Sequence, residues 1–461
     1  MALHVDSTRV LELNKKARRG GLARAIVQNA LGKTQVEDLA TFATYLPKTF
    51  NTVVGPMPEL ADQKHSGTCW IFATINVLRF HMIQHYGLEK SFALSHAYLQ
   101  FYHFLESCNA LAEIVYDMRD RKKLDRSSLE FAYMLDSYVN DGGSWTEACA
   151  LMSKYGIVPK EVYPSNLQAR NSADMLSVLH QCCYKHCHAM MARPSRERAK
   201  LKKRFLKDVH AVLVAFLGVP PAAFSWSARD AQEAIVEVKN MTPKEYYETR
   251  VLPACDPEQY VVLKSDPRHP FADTKNAVVA HVQQYGNKVL GQNAETAVEY
   301  DPECRSWNVS MKALKSAVAR SVRSKCPVYF ASDVMQAMVP SLMALNESAI
   351  STDRILGLDT VPRSRAEAFD SRAVKSTHAM VFAGLHEEEG QGKIARWLVQ
   401  NSWSAISEFV MSDAWFDNYV MIAAVPQSSV DPELLDRIRR DPKSRFVKIP
   451  AWDVFGVAQS I

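Results

Sequence analysis

The stretch from Ala61 to Phe80, ADQKHSGTCWIFATINVLRF, leaves little freedom in how the chain can be built. From Trp70 to Ile83, apolar residues fall around most of a helical wheel, with few polar breaks. A helix apolar on every side has no solvent face, so other elements must enclose it. Ser66, Gly67 and Thr68 are turn and cap residues, which starts that helix close to Cys69. The location bears on chemistry. Free backbone N–H groups and the positive end of the helix dipole favour a thiolate there, lowering its pKa from about 8.5. Gln63 lies six residues upstream, and its amide could join the Cys69 N–H in holding an oxyanion. The alternative is a buried structural cysteine. A nucleophilic thiol needs an imidazole to take its proton, and the imidazole needs an orienting acceptor.

At 461 residues and 47% hydrophobic, the chain is long enough for a large core and for more than one domain-sized unit. The formal charge of +5 permits contact with acidic partners without arguing for it. No apolar run approaches the roughly 18 to 20 residues needed to cross a bilayer, so no membrane association is expected. The first twenty residues break their few apolar positions with charge, unlike a secretory leader. Nine cysteines at irregular spacings suit a reducing compartment better than a disulfide framework. The expectation is a cytoplasmic protein.

The texture changes along the chain. Residues 1–56 read as an extension, basic and then mixed, with one or two short helices. Residues 57–190 read as a helical domain carrying Cys69, because 94-LSHAYLQFYHFLES-107 and 129-LEFAYMLDSYV-139 repeat apolar positions at three- and four-residue steps. Ser144 or Thr146 should cap a further helix, which Gly156 closes with Pro159 just beyond. Residues 191–255 read as a helical insertion that opens on the basic run 193-RPSRERAKLKKRFLK-207. From 256 to 430 the runs shorten and turn β-rich, as in 259-QYVVLKS-265, 277-AVVAHVQQY-285 and 326-CPVYFAS-332. Residues 431–461 form a C-terminal arm ending in KIPAWDVFGVAQSI, which reads as a docked strap rather than a helix. Helices followed by strands make an α+β fold class.

The imidazole and its acceptor have a candidate source in 376-STHAMVFAGLHEEEGQGKIARWLVQNSWS-404, two β-like runs about a Glu-Gly-Gln-Gly turn. Symmetric pairing about Glu389 and Gly390 puts His378 opposite Asn401, with partner numbers summing to 779, and a register slipped by one or two residues is equally open to the sequence. Asn401 would accept from one ring N–H of His378, leaving the other nitrogen for Cys69, and Trp403 would shield that bond from water.

Gln63, Cys69-Trp70, His378 and Asn401-Ser402-Trp403 together resemble the papain-like cysteine peptidases. Cys69 and His378 are 309 positions apart, far beyond the roughly 130 to 150 of short papain-like enzymes. The long form is similar to the bleomycin hydrolase and aminopeptidase C family, through QKHSGTCWIFA, NDGGSWTEACALMSKYGIVPK, MTPKEYYETRVLPAC, KSDPRHPF, PVYFASDV, THAM, QNSW and PAWDVFG. That resemblance implies a papain-like fold, in which a helical domain with the cysteine packs on a β-barrel-like domain with the His and Asn. It also implies a self-compartmentalised homohexamer acting on peptide substrates. By motif, Cys69 would be nucleophile, His378 base, Asn401 its orienter, Gln63 the oxyanion donor, and Trp70 and Trp403 supporting residues. The family's terminal carboxylate meets the substrate's amino group, which makes Ile461 the candidate for selecting a free N-terminus. An endopeptidase remains the alternative should the tail not occupy the cleft. The sequence departs from the family at Ser404, where Gly is usual, at Thr68, where Arg is common, at 452-WDVFG-456, and in a longer end, AQSI.

Two further signals are weaker. The cluster 180-HQCCYKHCH-188 invites a metal reading, but no second Cys/His cluster completes a four-ligand site, so no metal and no cofactor are expected. The run 193–207 reads as a solvated face or, alternatively, as a phosphate-binding surface for nucleic acid on an oligomeric scaffold with vestigial catalysis.

Overall fold

The computed structural model describes residues 46–120, 129–273, 280–283, 305–347, 362, 364–390, 392–440, 446–449 and 453–455. The short helices expected before residue 46 lie outside these. In chain order the main helices are α1 (Cys69–Tyr86), α2 (His96–Asp120), α3 (Leu129–Ser137), α4 (Trp145–Tyr155), α5 (Ala173–Ala192), α6 (Arg198–Leu217), α7 (Met311–Arg323), α8 (Asp413–Tyr419) and α9 (Pro432–Arg440). The strands are β1 (Thr52–Val53), β2 (Phe224–Arg229), β3 (Ile235–Met241), β4 (Tyr260–Lys264), β5 (Ala280–Gln283), β6 (Arg305–Asn308) and β7 (Val328–Ser332). They continue with β8 (Met338–Val339), β9 (Ala344–Leu345), β10 (His378–Glu387), β11 (Ile394–Gln400), β12 (Glu408–Ser412), β13 (Val420–Pro426) and β14 (Phe446–Ile449).

Helix α1 starts at Cys69 and is enclosed as its composition requires, by α2 and α4 on one side and by β7 and β10 on the other. Gly87, at φ 64°, closes it in the left-handed conformation that glycine adopts without Cβ strain. Buried Arg79 survives inside because its guanidinium donates to the carbonyls of Phe92 at 2.7 Å and Glu59 at 3.1 Å, and to Asn76 Oδ1 at 3.1 Å. Helix α4 has the expected ends: Ser144 Oγ accepts from the Glu147 N–H, and Gly156 follows its last turn. A Cβ on Gly156 would sit 2.1 Å from the Pro243 backbone, so only glycine fits there.

Helices α5 and α6 bury Leu179, Cys183 and Cys187, and Phe205, Val209 and Leu213, in the same core as α1. The i, i+4 spacing lays each set along one helix face. The segment 191–255, expected to be helical, also contains the antiparallel hairpin β2–β3. The alternation of PheSerTrpSer with ValGluVal supports strands. Asp230 Oδ1 builds the turn between them by accepting from the Gln232 and Ala234 N–H groups at 2.9 and 2.8 Å.

Twelve of the strands form one sheet, in the order β14-β5-β6-β4-β13-β7-β10-β11-β12-β9-β8, with β1 added beside β10. Its central strands are buried on both faces. On β7 and β10, Tyr329, Ala379 and Val381 face the helical core with α1, whereas Val328, Phe330, Met380 and Phe382 face a second core with α7 and α8. The period-two alternation of side chains divides these residues between the two cores. The sheet thereby carries the start of β10 to the start of α1.

Candidate active site

Cys69 and His378 line one cleft of 370 Å³ together with Gln63, Lys64, His65, Ser66, Gly67, Met335, Met338, Thr377 and Trp403. The backbone N–H of Ala379, the residue after His378, points at Cys69 Sγ at 3.4 Å. His378 Nε2 lies 2.7 Å from Asn401 Oδ1. The Asn401 amide orientation follows from its partners, because Nδ2 donates to the Ile406 carbonyl at 2.8 Å and Oδ1 also accepts from the Ser402 N–H at 2.8 Å. The neutral ring therefore carries its proton on Nε2 and leaves Nδ1 as the basic nitrogen. The Trp403 indole stacks on the imidazole, centroids 4.5 Å apart and planes at 28°, over the bond to Asn401.

His378 and Asn401 meet, but not by the expected cross-strand pairing. In β10–β11 the partner numbers sum to 781 at Val381↔Gln400 and Phe382↔Val399 and to 782 at Leu385↔Trp397, not to 779. The offset is already present at Glu387↔Ile394, beside the turn, and the irregularities between His386 and Glu387 and between Phe382 and Gly384 shift the sum by one and back. His378 instead pairs with Ser332 of β7. Asn401 sits just past β11, in a turn held by its own N–H bond to the Ser407 carbonyl at 2.8 Å.

Protonation also departs from expectation. Burial pushes the Cys69 thiol up to about 12, against the help of the Ala379 N–H, and nearby Asp141 adds to the rise. The helix start does lie at Cys69, but removing the sulfur from water outweighs the dipole. Burial likewise pushes His378 down to about 4, against its bond to Asn401. Burial thus acts against the charged form of both side chains.

The loop before Cys69 is tightly held. Gln63 Nε2 donates to the Ser66 carbonyl at 2.7 Å, and its Oε1 accepts from Ser402 Oγ at 2.5 Å. An amide NH2 has two hydrogens, so one remains for a ligand. The Lys64 N–H donates to Asp62 Oδ1 at 2.9 Å in the same loop. Fully buried Trp70 donates through Nε1 to the Asp141 carbonyl at 2.8 Å. Asp141 Oδ2 accepts from the Gly67 N–H and from Ser172 Oγ, each at 2.6 Å. Sequence reasoning missed Ser402, Asp141, Met335 and Met338. Ser402 and Asp141 stood inside quoted motifs with no pattern to single them out, and nothing local marks the two methionines.

Part of the arm also docks beside this site. Val454 O accepts from the Ser376 N–H at 2.8 Å, two residues before His378. Arg268 holds Asp453 at 3.0 Å while also pairing with Asp266, and Phe455 packs on Phe369 with centroids 5.0 Å apart. Ile461 lies outside the described residues. Cys183 and Cys187 point into the core, with Cys183 Sγ 3.8 Å from Cys108 Sγ, and among the described residues no His/Cys/Asp/Glu group is arranged to hold a metal. No helix among the described residues is long and apolar enough to cross a membrane.

A cysteine at the start of an enclosed helix, meeting a strand-borne His and a turn-borne Asn across a cleft, defines a papain-like α+β protein. The chain belongs to the Peptidase C1-like family, whose model matches residues 6–456. Over 408 residues it is 29% identical to aminopeptidase C of Listeria monocytogenes, covering 86% of each chain. It is 26% identical over 409 residues to human bleomycin hydrolase, covering 86% of this chain and 85% of that one. The crystal structure of PepW from Lactobacillus rhamnosis HN001 matches the fold with a TM-score of 0.84 at 24% identity, covering 99% of both chains.

Proposed function

We propose that the chain is a cytoplasmic, homohexameric cysteine aminopeptidase that removes N-terminal residues from peptides through an acyl-enzyme on Cys69. The observation that carries this reading is the convergence of the Ala379 N–H on Cys69 Sγ at 3.4 Å with the 2.7 Å contact of His378 and Asn401 in one cleft. The names of the aminopeptidase C and bleomycin hydrolase relatives point the same way.

In this mechanism His378 Nδ1 takes the thiol proton as Sγ attacks the scissile carbonyl. Gln63 Nε2 and the Cys69 N–H hold the oxyanion. The imidazolium, oriented by Asn401, then protonates the leaving amine. Water, deprotonated by the same ring, hydrolyses the thioester. The docking of Asp453–Phe455 next to His378 supports an arm that continues toward the cleft, where the carboxylate of Ile461 would pair with a substrate ammonium.

The test is hydrolysis of aminoacyl fluorogenic substrates, with free and blocked amino groups, by the wild type and Cys69→Ala. Activity confined to the wild type and to free amino groups is expected. Equal activity of the two proteins overturns the peptidase reading, and full activity on blocked substrates replaces the aminopeptidase with an endopeptidase.

A second reading, non-specific nucleic-acid binding, draws on six exposed cations of the run 193–207: Arg193, Arg196, Lys200, Lys203, Arg204 and Lys207. The other two, Arg198 and Lys202, pair with Glu113. It requires DNA affinity that falls steeply with log salt, and flat binding removes it.

A further inference from the structure

The cleft that holds Cys69 and His378 has two unlike walls. The wall on the α1 side, Gln63 to Gly67, is polar, with Lys64 and His65 its exposed members. The sheet-side wall contributes Met335, Met338 and Trp403, three half-buried apolar side chains that also pack on the second core. Hydrogen bonds fasten this wall beside the imidazole. Thr377, one residue before His378, accepts at Oγ1 from the Val334 N–H at 3.3 Å and donates to Asp333 Oδ1 at 3.3 Å. Gln336 stands between the methionines. Its Nε2 donates to Asp333 Oδ2 at 3.2 Å and to the Ala373 carbonyl at 3.1 Å, and its own carbonyl accepts from the Trp415 indole at 2.7 Å. Met338 lies in β8 opposite Leu345 of β9. The backbone is therefore tied at both ends of the segment, while both methionine side chains stay partly open to the cleft. No carboxylate is among the described residues that line it.

We infer that Met335 and Met338 determine specificity on the leaving side of the cleft, favouring peptides whose second residue is apolar. The inference rests on the proposed peptidase reading and adds to it the class of bond that is cut. Its direction follows from the chemistry. The acyl carbonyl is held from the α1 side, by Sγ, the Cys69 N–H and Gln63. The departing nitrogen must reach His378, on the sheet side, to collect its proton. The side chain that leaves with that nitrogen is carried toward the wall fastened beside His378, where the two methionines stand. An apolar side chain there takes its own surface and that of both thioethers out of water. A basic side chain meets no carboxylate in this cleft and gives up hydration without gaining a partner. Methionine is unbranched and adapts to different shapes, so leucine and phenylalanine should be received alike. The wall selects polarity, not shape.

The experiment uses the full chain and four dipeptide amides that share an N-terminal alanine and carry leucine, phenylalanine, alanine or lysine second. Products are followed by mass spectrometry and compared as kcat/KM, which reports transition-state binding relative to free enzyme and substrate. The leucine and phenylalanine peptides should agree within about 3-fold and exceed the lysine peptide by about 10- to 100-fold. Met338→Glu supplies the missing counter-charge, so it should cut the leucine-to-lysine ratio by at least about 10-fold. Met335→Ala should lower leucine relative to alanine by about 3- to 10-fold. A second readout divides the alanyl-enzyme, formed from alanyl p-nitroanilide, between water and added amino-acid amides. The acceptor nitrogen forms the C–N bond as the C–S bond breaks, and its proton passes to His378. The wall that receives the departing residue also receives the incoming one, so leucine amide should intercept more acyl-enzyme than lysine amide. Equal kcat/KM across the four peptides overturns the inference, as does a leucine-to-lysine ratio unmoved in Met338→Glu. If that variant does not fold, the acyl-enzyme readout decides, and equal interception by the two amides overturns the inference. Cleavage of none of the four peptides, or activity surviving in Cys69→Ala, would instead sink the peptidase reading itself, which keeps the two failures apart.

Discussion

His378 Nε2 and Asn401 Oδ1 stand 2.7 Å apart beneath the Trp403 indole, joined across a turn and not across a strand pair. Removing the acceptor frees the ring to rotate and to exchange tautomers. Asn401→Ala should lower kcat by at least about 100-fold while KM changes only a few-fold. Steady-state kinetics check this, and an unchanged kcat would count against the orienting role.

Gln63 is fixed by Ser402, whose hydroxyl occupies Oε1 and so turns Nε2 toward the Ser66 carbonyl and the cleft. Gln63→Ala should cost about 100- to 1000-fold in kcat, the range for losing one oxyanion donor. Ser402→Ala leaves the donor present but unpinned, so its loss should be smaller. Equal losses in the two variants would show that the amide acts by packing alone.

Gly143 lies against the buried Trp70 ring, where an added Cβ would approach indole carbons to 2.4 Å. Gly143→Ala must therefore displace Trp70 from the Asp141 carbonyl. We expect a stability loss of about 1–3 kcal/mol, read from urea midpoints, together with slower alkylation of Cys69. Retention of both values would place slack in this loop.

Acid should weaken the fold. Burial pushes His81 and His378 down to about 4 and lowers His96 and His103 as well, so all four enter the fold neutral. Unfolding releases them to an ordinary pKa of about 6.5. Between about pH 6.5 and 4 the unfolded chain thus binds more protons, and stability present above 6.5 is lost as pH falls. Glu147 works in the opposite sense, because burial raises it to about 8 and the folded state holds its proton at neutral pH. Burial raises Asp333 as well, and two carboxyls against four imidazoles leave a net loss on acidification. Urea midpoints at pH 7.5, 6 and 5 should fall in that order, and a flat series would show that the imidazoles are protonated in the fold.

The arm hangs on Arg268, which grips Asp453 and Asp266 together. Arg268→Ala should loosen Asp453–Phe455 and raise the ratio of hydrolysis of amino-blocked to free substrates, with Arg268→Lys intermediate. A constant ratio would show that the anchored segment does not govern substrate choice.

Several features of this protein follow from short runs of residues. The start of α1 at Cys69, the Ser144 cap, the Gly156 stop and strands at Tyr260–Lys264 and Val328–Ser332 each depend on a few neighbouring residues, and capping and alternation act over that range. The residues that line the cleft from the far end of the chain were legible as well, since the motif around His378 and that around Asn401 stood out in the residue order. What only the tertiary structure decided are properties of distance and dryness. The β10–β11 turn is centred one residue beyond the expected point, which displaced the register from its start at Glu387↔Ile394, and the 401–407 turn delivered Asn401 by another route. The hairpin at 224–241 arose within a stretch expected to be helical. The direction of the Cys69 pKa shift runs against the local argument, because a helix dipole is written into the neighbouring residues whereas desolvation depends on everything packed around the sulfur.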